Sequence, residues 1–386
     1  MTTLRGRYRG FVCDLDGVVY RGPDPVAHAV ESLSRPGTHV VYATNNASRP
    51  PEQVADHLVR LGLDVGPEQV VTSSQAGARR IASRVAAGSR VLAVGGMGVA
   101  RALAEAGLEP VTPAQLRDAA GDVAASGPAV AAVLQGYGAG VTADDLAWAS
   151  YLVADGAWWV ATNTDATLPT DRGVAPGNGM LVAAVQRATG VTPATAGKPQ
   201  GDLYELACDR LGTRQVLGVG DRLDTDILGA MAAGLDSLWV LTGVDDLAAL
   251  ATAQGRPRPT FVAADLRALD HVVPVVSRQG DVWECGGWRV QRDDRGSVHP
   301  QVLVVHQDGS ESQPDASGDR VPRGLAVLNA GLHLLLASID QREDGDDLGG
   351  PDVGNRGPGA ASVEVLVDLA RSIEEQAGLR EEHRED

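Results

Sequence analysis

Asp14 and Asp16 stand one residue apart at the end of an apolar run, GFVCDLDG (10–17). In an extended chain, side chains at i and i+2 point the same way, so two carboxylates converge on one small volume. Gly17 lets the backbone turn sharply beside them. A calcium loop fits poorly, because the later oxygen ligands and the closing Glu are missing. A second acidic group, Asp221, Asp224 and Asp226, lies in and after the run RQVLGVGD (214–221). Acids in such places also cap helices, and an isolated Asp-x-Asp-Gly is also a common turn. Thr44, Asn45 and Asn46 end a third run, THVVYATNN (38–46), and offer hydroxyl, amide and backbone donors. Clusters of that kind are ordinary turns as well.

Lys198 changes the balance. The 33 basic residues include one lysine, Lys198, and therefore 32 arginines. A solvated position would accept either residue, whereas a tight anionic pocket favours a compact ammonium over a planar fork. Together the four groups suit phosphoryl transfer. They supply a carboxylate nucleophile, oxygen ligands for magnesium, donors for phosphoryl oxygens and one cation.

Strand ends must position these groups. The runs at 10–17, 38–46 and 214–221 read as buried strands, and TPATAGKP (192–199) as a weaker one, rich in threonine and alanine. Helical patterns follow two of them. Val54, Leu58 and Leu61 fall at helical spacing after two prolines, with Gly62 as a stop, and DILGAMAAG follows Asp224 and Thr225. This alternation implies an α/β fold with a Rossmann-like parallel sheet, right-handed crossovers and ligands at the carboxyl ends of the strands. All four clusters are expected at one edge of that sheet. Residues 1–79 and 193–265 are expected to form the catalytic core, with 80–192 inserted as a mobile α/β cap. Short strands and a helix over 270–342 suggest a small C-terminal α+β extension. Residues 342–359 read as an acidic linker, and ASVEVLVDLARSIEEQAG (361–378) as an amphipathic segment. From 341 to 386 there are 13 acidic and 5 basic residues, a net of −8. The last part, 343–386, is therefore expected to be a solvated or partner-binding extension dispensable for chemistry.

The 386 residues, 44% of them hydrophobic, allow a sizeable core. Fifty acidic against 33 basic residues give a net charge of −17, which argues against nucleic acid or an anionic membrane as partner. No apolar run approaches the ~20 residues of a membrane span, and the first residues carry no apolar signal core. Cys13, Cys208 and Cys285 are too few for a disulfide framework or a zinc site. A soluble cytoplasmic protein is expected.

DLDGVVY, TNNAS, GKPQ and GDRLDTDI resemble, in order, the four motifs of the haloacid dehalogenase superfamily. With a type II cap between the second and third motifs, the chain is similar to the nitrophenylphosphatase and phosphoglycolate phosphatase branch. The stretch ATNTDATLPTDRGVAPGNG (161–179) also resembles that branch, with Thr164 in place of its usual proline. The resemblance covers about residues 8–265 and implies a magnesium-dependent phosphatase. By motif position it makes Asp14 the nucleophile and Asp16 the general acid and base. Thr44, Asn45 and Asn46 would hold the phosphoryl group, and Lys198 would balance charge. Asp14, Asp221 and the backbone carbonyl of Asp16 would bind Mg2+, with Asp226 supporting the metal's waters. The C-terminal region resembles actinobacterial members that act on glycerol 3-phosphate, whose appended region looks like part of an acyltransferase fold. No acyl-CoA pyrophosphate loop is visible in 270–342. A nucleotide or sugar phosphate is the alternative substrate, and a phosphometabolite-binding regulator without turnover the alternative function. A homo-oligomer through the cap or the C-terminal extension is a further expectation.

Two other patterns carry less. VGGMGVA (94–100) hints at a dinucleotide fingerprint but has Arg101 where a small residue belongs, and AGKPQ lacks the features of a P-loop. Trp148, Tyr151, Trp158 and Trp159 read as cap core rather than a substrate cage.

Overall fold

The computed structural model describes residues 2–120, 129–170, 172–293, 301–306, 321–347, 363–377 and 379. Its centre is a six-stranded sheet in the order Phe261–Ala263, Asp236–Val240, Val216–Gly220, Gly10–Cys13, Val40–Thr44 and Val70–Thr72. Every pairing in it is parallel. The first strand lies in the middle, and the chain builds outward on either side of it. Its carboxyl end is thus the topological switch point at which such sheets bind ligands.

Local sequence explains the flanking helices. Pro51–Arg60 starts on a proline and buries Val54, Ala55 and Leu58, and Gly62 leaves it at φ +102°. Ser73–Ala82 begins with Thr72 and Gln75 capping each other's backbone N–H.

A second parallel sheet has the order Ala194–Thr195, Trp158–Ala161, Ala132–Gln135, Arg90–Val94 and Glu109–Val111. This corrects one expectation. The short strand before Lys198 joins the second sheet rather than the first. Two residues of alanine and threonine pair wherever an edge is offered, and strand Trp158–Ala161 offers it. Helix Ser73–Ala82 packs between the sheets. One cluster of buried residues takes Val12, Val41 and Val71 from the first sheet, Ala78 and Ile81 from this helix, and Val91, Leu134 and Val160 from the second. Moving the second sheet relative to the first would carry a cost, because part of that cluster would be exposed to water. The glycine-rich run at 94–100 ends a strand and opens helix Met97–Glu105, whose Gly98 N–H donates to the Ser48 carbonyl at 3.1 Å. The aromatic group divides, with Trp148 edge-on to Tyr151 at 6.0 Å between ring centroids. Trp159 is buried, with its indole N–H on Gln135 Oε1 at 3.1 Å, Trp158 lies under Arg84, and Tyr151 is exposed.

At the C-terminal end, an antiparallel sheet runs Ser277–Gln279, Val282–Cys285, Trp288–Asp293 and Gln301–His306. Helix Val321–Asp347 covers it and also closes the edge of the central sheet. Asn329 accepts the Val262 N–H at 3.2 Å and donates to the Val262 carbonyl at 2.9 Å, which satisfies an edge strand that would otherwise be open. This helix extends six residues into the acidic stretch expected as linker from 342; residues 348–362 lie outside the described part. Helix Val363–Gln376 is not a solvated tail. Leu366, Leu369, Ala370 and Ile373 are fully buried at helical spacing, in one cluster with Leu223 and Ile227 beside the acidic group at 221–226. All three cysteines are buried and free. Among the described residues, no helix is long and apolar enough to cross a membrane.

Candidate active site

Three adjacent central strands deliver the site. Asp14 follows strand Gly10–Cys13, its N–H held by the Val219 carbonyl at 2.9 Å. Thr44 ends the strand on one side, and Asp221 follows the strand on the other. Gly17, at φ +85°, takes the chain back from the edge, and a Cβ there would overlap Asp221.

Lys198 reaches the cluster from the second-sheet side. It is only 3% exposed. Its ammonium donates to Asp14 Oδ1, to Asp226 Oδ1 at 2.6 Å and to the Ala43 carbonyl at 3.2 Å. Those three bonds use its three donors. Asp226, 2% exposed, also accepts the Arg222 N–H at 3.1 Å through Oδ2. It thereby anchors the lysine and caps the turn that follows Asp221. Asp224 is exposed and pairs with Arg222.

Asn45 and Asn46 part company. Asn45 Oδ1 accepts the Lys198 N–H at 2.8 Å, and its Nδ2 donates to the Lys198 carbonyl at 3.1 Å and to the Asp165 carboxylate. Its side chain clamps the lysine loop, so any contribution to a phosphoryl oxygen would come from its backbone. Asn46 Oδ1 accepts the N–H and hydroxyl of Ser48, which commits that carbonyl to its own turn. Thr44 Oγ1 accepts the Asn46 N–H at 3.0 Å and keeps a hydroxyl proton to donate. Asp16 stands at the mouth, outside the lysine ion pair.

Several supporting residues escape a reading by motif. Thr242–Asp245, after the neighbouring strand, holds the acids in place. Val244 N–H donates to Asp221 Oδ2 at 2.8 Å, Asp245 accepts the Leu223 N–H at 2.7 Å, and Thr242 donates to the Gly17 carbonyl at 2.8 Å. The signal for this loop was an apolar run, SLWVLTG, ending in small residues without an acid. Asn163 and Asp165 form the junction with the second sheet, Asn163 donating to the Asn45 carbonyl at 2.7 Å.

Burial raises the Asp14 carboxyl well above its usual range, Asp226 raises it further, and Lys198 opposes both. Burial acts to lower the Lys198 ammonium, but Asp14 and Asp226 outweigh it and the net shift is upward. Asp221 is pushed up to about 7 by burial and by Asp226, against the pull of the Val244 N–H and Lys198. Asp16 is raised by desolvation between the walls of the mouth, with Lys198 and Arg49 pulling it down.

The donor set fits magnesium. Asp14, Asp221 and Asp226 offer oxygens that all lie within 4.8 Å of one another. Ligands on opposite sides of a magnesium with ~2.1 Å bonds stand roughly 4.2 Å apart. Asp221 Oδ1 is buried without a hydrogen-bond partner, an arrangement that calls for a cation. When ionised, the three carboxylates against one ammonium leave two negative charges, which a divalent cation balances. A proton on Asp221 competes with the metal. Magnesium affinity should therefore be level above pH 7 and fall as pH drops through that value, by about tenfold between pH 8 and pH 6 for one such proton. Calorimetric titrations of metal-free protein at the two values check this, and equal affinities would contradict it.

Comparison with known proteins places this site in a family. Models described as haloacid dehalogenase-like hydrolase and HAD-like hydrolase match residues 11–109 and 195–269. The D-glycerol 3-phosphate phosphatase of Mycobacterium tuberculosis is 42% identical over 353 residues, spanning 90% of this chain and 93% of that protein. The chain belongs to the haloacid dehalogenase-like hydrolases. An acid sugar phosphatase of Staphylococcus aureus is 37% identical over 62% of this chain and 89% of its own length. Among solved structures, a glycerol phosphate phosphatase from Mycobacterium tuberculosis in complex with magnesium superposes with a TM-score of 0.69 at 39% identity. That match covers 86% of this chain and 91% of the other. As a member of this family the chain is a hydrolase, and these relatives are phosphatases.

Proposed function

We propose that this protein is a magnesium-dependent phosphomonoester hydrolase whose substrate is glycerol 3-phosphate. One observation carries the chemistry: Asp14 is held by a buried ammonium, while Asp16, two residues on, stands outside that ion pair at the mouth. In this reading a carboxylate oxygen of Asp14 attacks phosphorus, and the bond from phosphorus to the leaving oxygen breaks. Asp16 gives its proton to that departing oxygen, and its raised pKa brings it closer to carrying the proton near neutral pH. Water then attacks the aspartyl-phosphate at phosphorus, Asp16 takes the water's proton, and Asp14 is restored as carboxylate. Thr44 and the backbone of Asn45 serve as donors for phosphoryl oxygens. Lys198 holds Asp14 in place throughout. Magnesium, when bound, offsets the negative charge of the carboxylates and the phosphoryl group.

In the same reading, residues 1–79 and 193–265 form the catalytic core, apart from strand Ala194–Thr195 on the second sheet, and 80–192 caps it. The substrate is supported by the relative that aligns over 353 residues, a span too long to stop short of the C-terminal extension. The acid sugar phosphatase relative aligns over 246 residues. A regulator without turnover would have no need of both Asp14 and Asp16 beside Lys198. Phosphate release from glycerol 3-phosphate, hexose phosphates and nucleoside monophosphates tests the proposal. Glycerol 3-phosphate should have the highest kcat/KM, by at least about tenfold, or ~1.4 kcal/mol in transition-state stabilisation. A higher kcat/KM for a hexose phosphate would overturn the substrate assignment.

A further inference from the structure

Helix Val363–Gln376 carries a carboxylate, Glu374, that is 6% exposed. Buried acids are costly unless paired or hydrogen-bonded, so their partners are informative. Glu374 Oε1 accepts the N–H of Leu247 at 2.8 Å, in the first turn of the short helix Leu247–Ala251. That turn directly follows Thr242–Asp245, the segment whose Val244 N–H and Asp245 carboxylate fix Asp221 and Leu223. Asp246 caps the same turn by accepting the Ala249 N–H at 3.0 Å.

Apolar packing runs in parallel with these bonds. Leu223 and Ile227, on either side of the acidic turn, share one buried cluster with Leu247 and Leu250 and with Leu366, Leu369 and Ile373 of the terminal helix. The Trp239 indole, in the same cluster, donates to the Asp221 carbonyl at 3.1 Å. Asp221 is therefore braced from its carboxylate, its carbonyl and its following turn by groups that rest on the C-terminal extension.

We propose that Glu374 is a positioning residue for the metal site. It sets the Thr242–Asp245 loop in the register that presents Asp221 to magnesium, and so couples the C-terminal extension to metal affinity. The inference rests on Asp221 being a magnesium ligand. Outer partners that orient a ligand are worth tenfold to a hundredfold in metal affinity.

The test uses the full chain and magnesium alone, titrated calorimetrically into metal-free protein below the melting temperature of every variant. Glu374→Met keeps the volume and removes the acceptor, and should weaken magnesium binding by on the order of tenfold. Glu374→Gln keeps an amide oxygen for Leu247 and should restore binding to within about threefold of the parent. Val290→Ala loosens the same buried cluster without touching the Glu374–Leu247 bond, and should lower Tm while changing affinity by less than Glu374→Met does. Should Glu374→Met fail to fold, Glu374→Ala takes its place. A parent protein that binds no magnesium refutes the metal reading itself. Normal magnesium binding by the parent with unchanged affinity in Glu374→Met refutes only the coupling. Equal losses of affinity in Glu374→Met and Val290→Ala would also refute it, because general loosening would then account for both.

Discussion

Asp14→Asn should lower phosphate release by on the order of a thousandfold or more, as losing a covalent nucleophile does. The amide fills nearly the same space but cannot attack phosphorus as an anion. The fold should survive, because Lys198 keeps Asp226 at 2.6 Å and the Ala43 carbonyl at 3.2 Å. Removing one of three crowded carboxylates also relieves repulsion around the acidic cluster in the absence of metal. Phosphate release at saturating substrate and magnesium, with circular dichroism as a check on folding, reads both effects. A variant within tenfold of the parent would mean that phosphorus is attacked by something other than Asp14.

Lys198→Ala should be nearly as damaging. Each charge-assisted hydrogen bond contributes ~1.5–3 kcal/mol, so losing those to Asp14 and Asp226 implies roughly 3–6 kcal/mol. Expressed in rate, that is roughly a hundredfold to ten-thousandfold. The loss is sharpened by burial, because Asp14 and Asp226 would face each other without a counter-charge. Lys198→Arg keeps the charge but must fit a planar fork where a 3%-exposed ammonium now meets two carboxylates and a carbonyl. It should slow turnover by on the order of a hundredfold, mainly in kcat. Initial rates at limiting and saturating substrate separate kcat from KM. If Lys198→Arg matched the parent at both, the lone lysine would be an accident of composition.

The meeting of Asp14, Asp221 and Lys198 was legible because the two acids follow apolar strand runs and the third residue is the chain's one lysine. Asp226 was legible as a supporting acid, but not as the lysine's second anchor, since sequence spacing does not say which way a side chain turns. Asn46 shows the same limit. Its amide offers the chemistry of Asn45 but bonds to Ser48 two residues on. Strand Ala194–Thr195 was assigned to the wrong sheet because two small residues carry almost no pairing information. The terminal helix was misjudged because charge was weighed above pattern. The net of −8 over 341–386 suggested solvent, yet Leu366, Leu369, Ala370 and Ile373 already traced a buried stripe. The Thr242–Asp245 loop acts through backbone N–H groups and one ordinary aspartate, and backbone donors leave no mark on composition.

The most direct test of the chemistry is to catch the phosphoryl group on the protein. Mixing enzyme, magnesium and excess glycerol 3-phosphate, quenching in acid within one turnover and reducing with borohydride converts an acyl phosphate on aspartate to homoserine. Fragmentation of the peptide that contains Asp14 and Asp16 then identifies the modified position. The account predicts homoserine at position 14, aspartate still at position 16, and no conversion when substrate is omitted or the protein is Asp14→Asn. Conversion at another residue, or hydrolysis at full rate with none at Asp14, would contradict it.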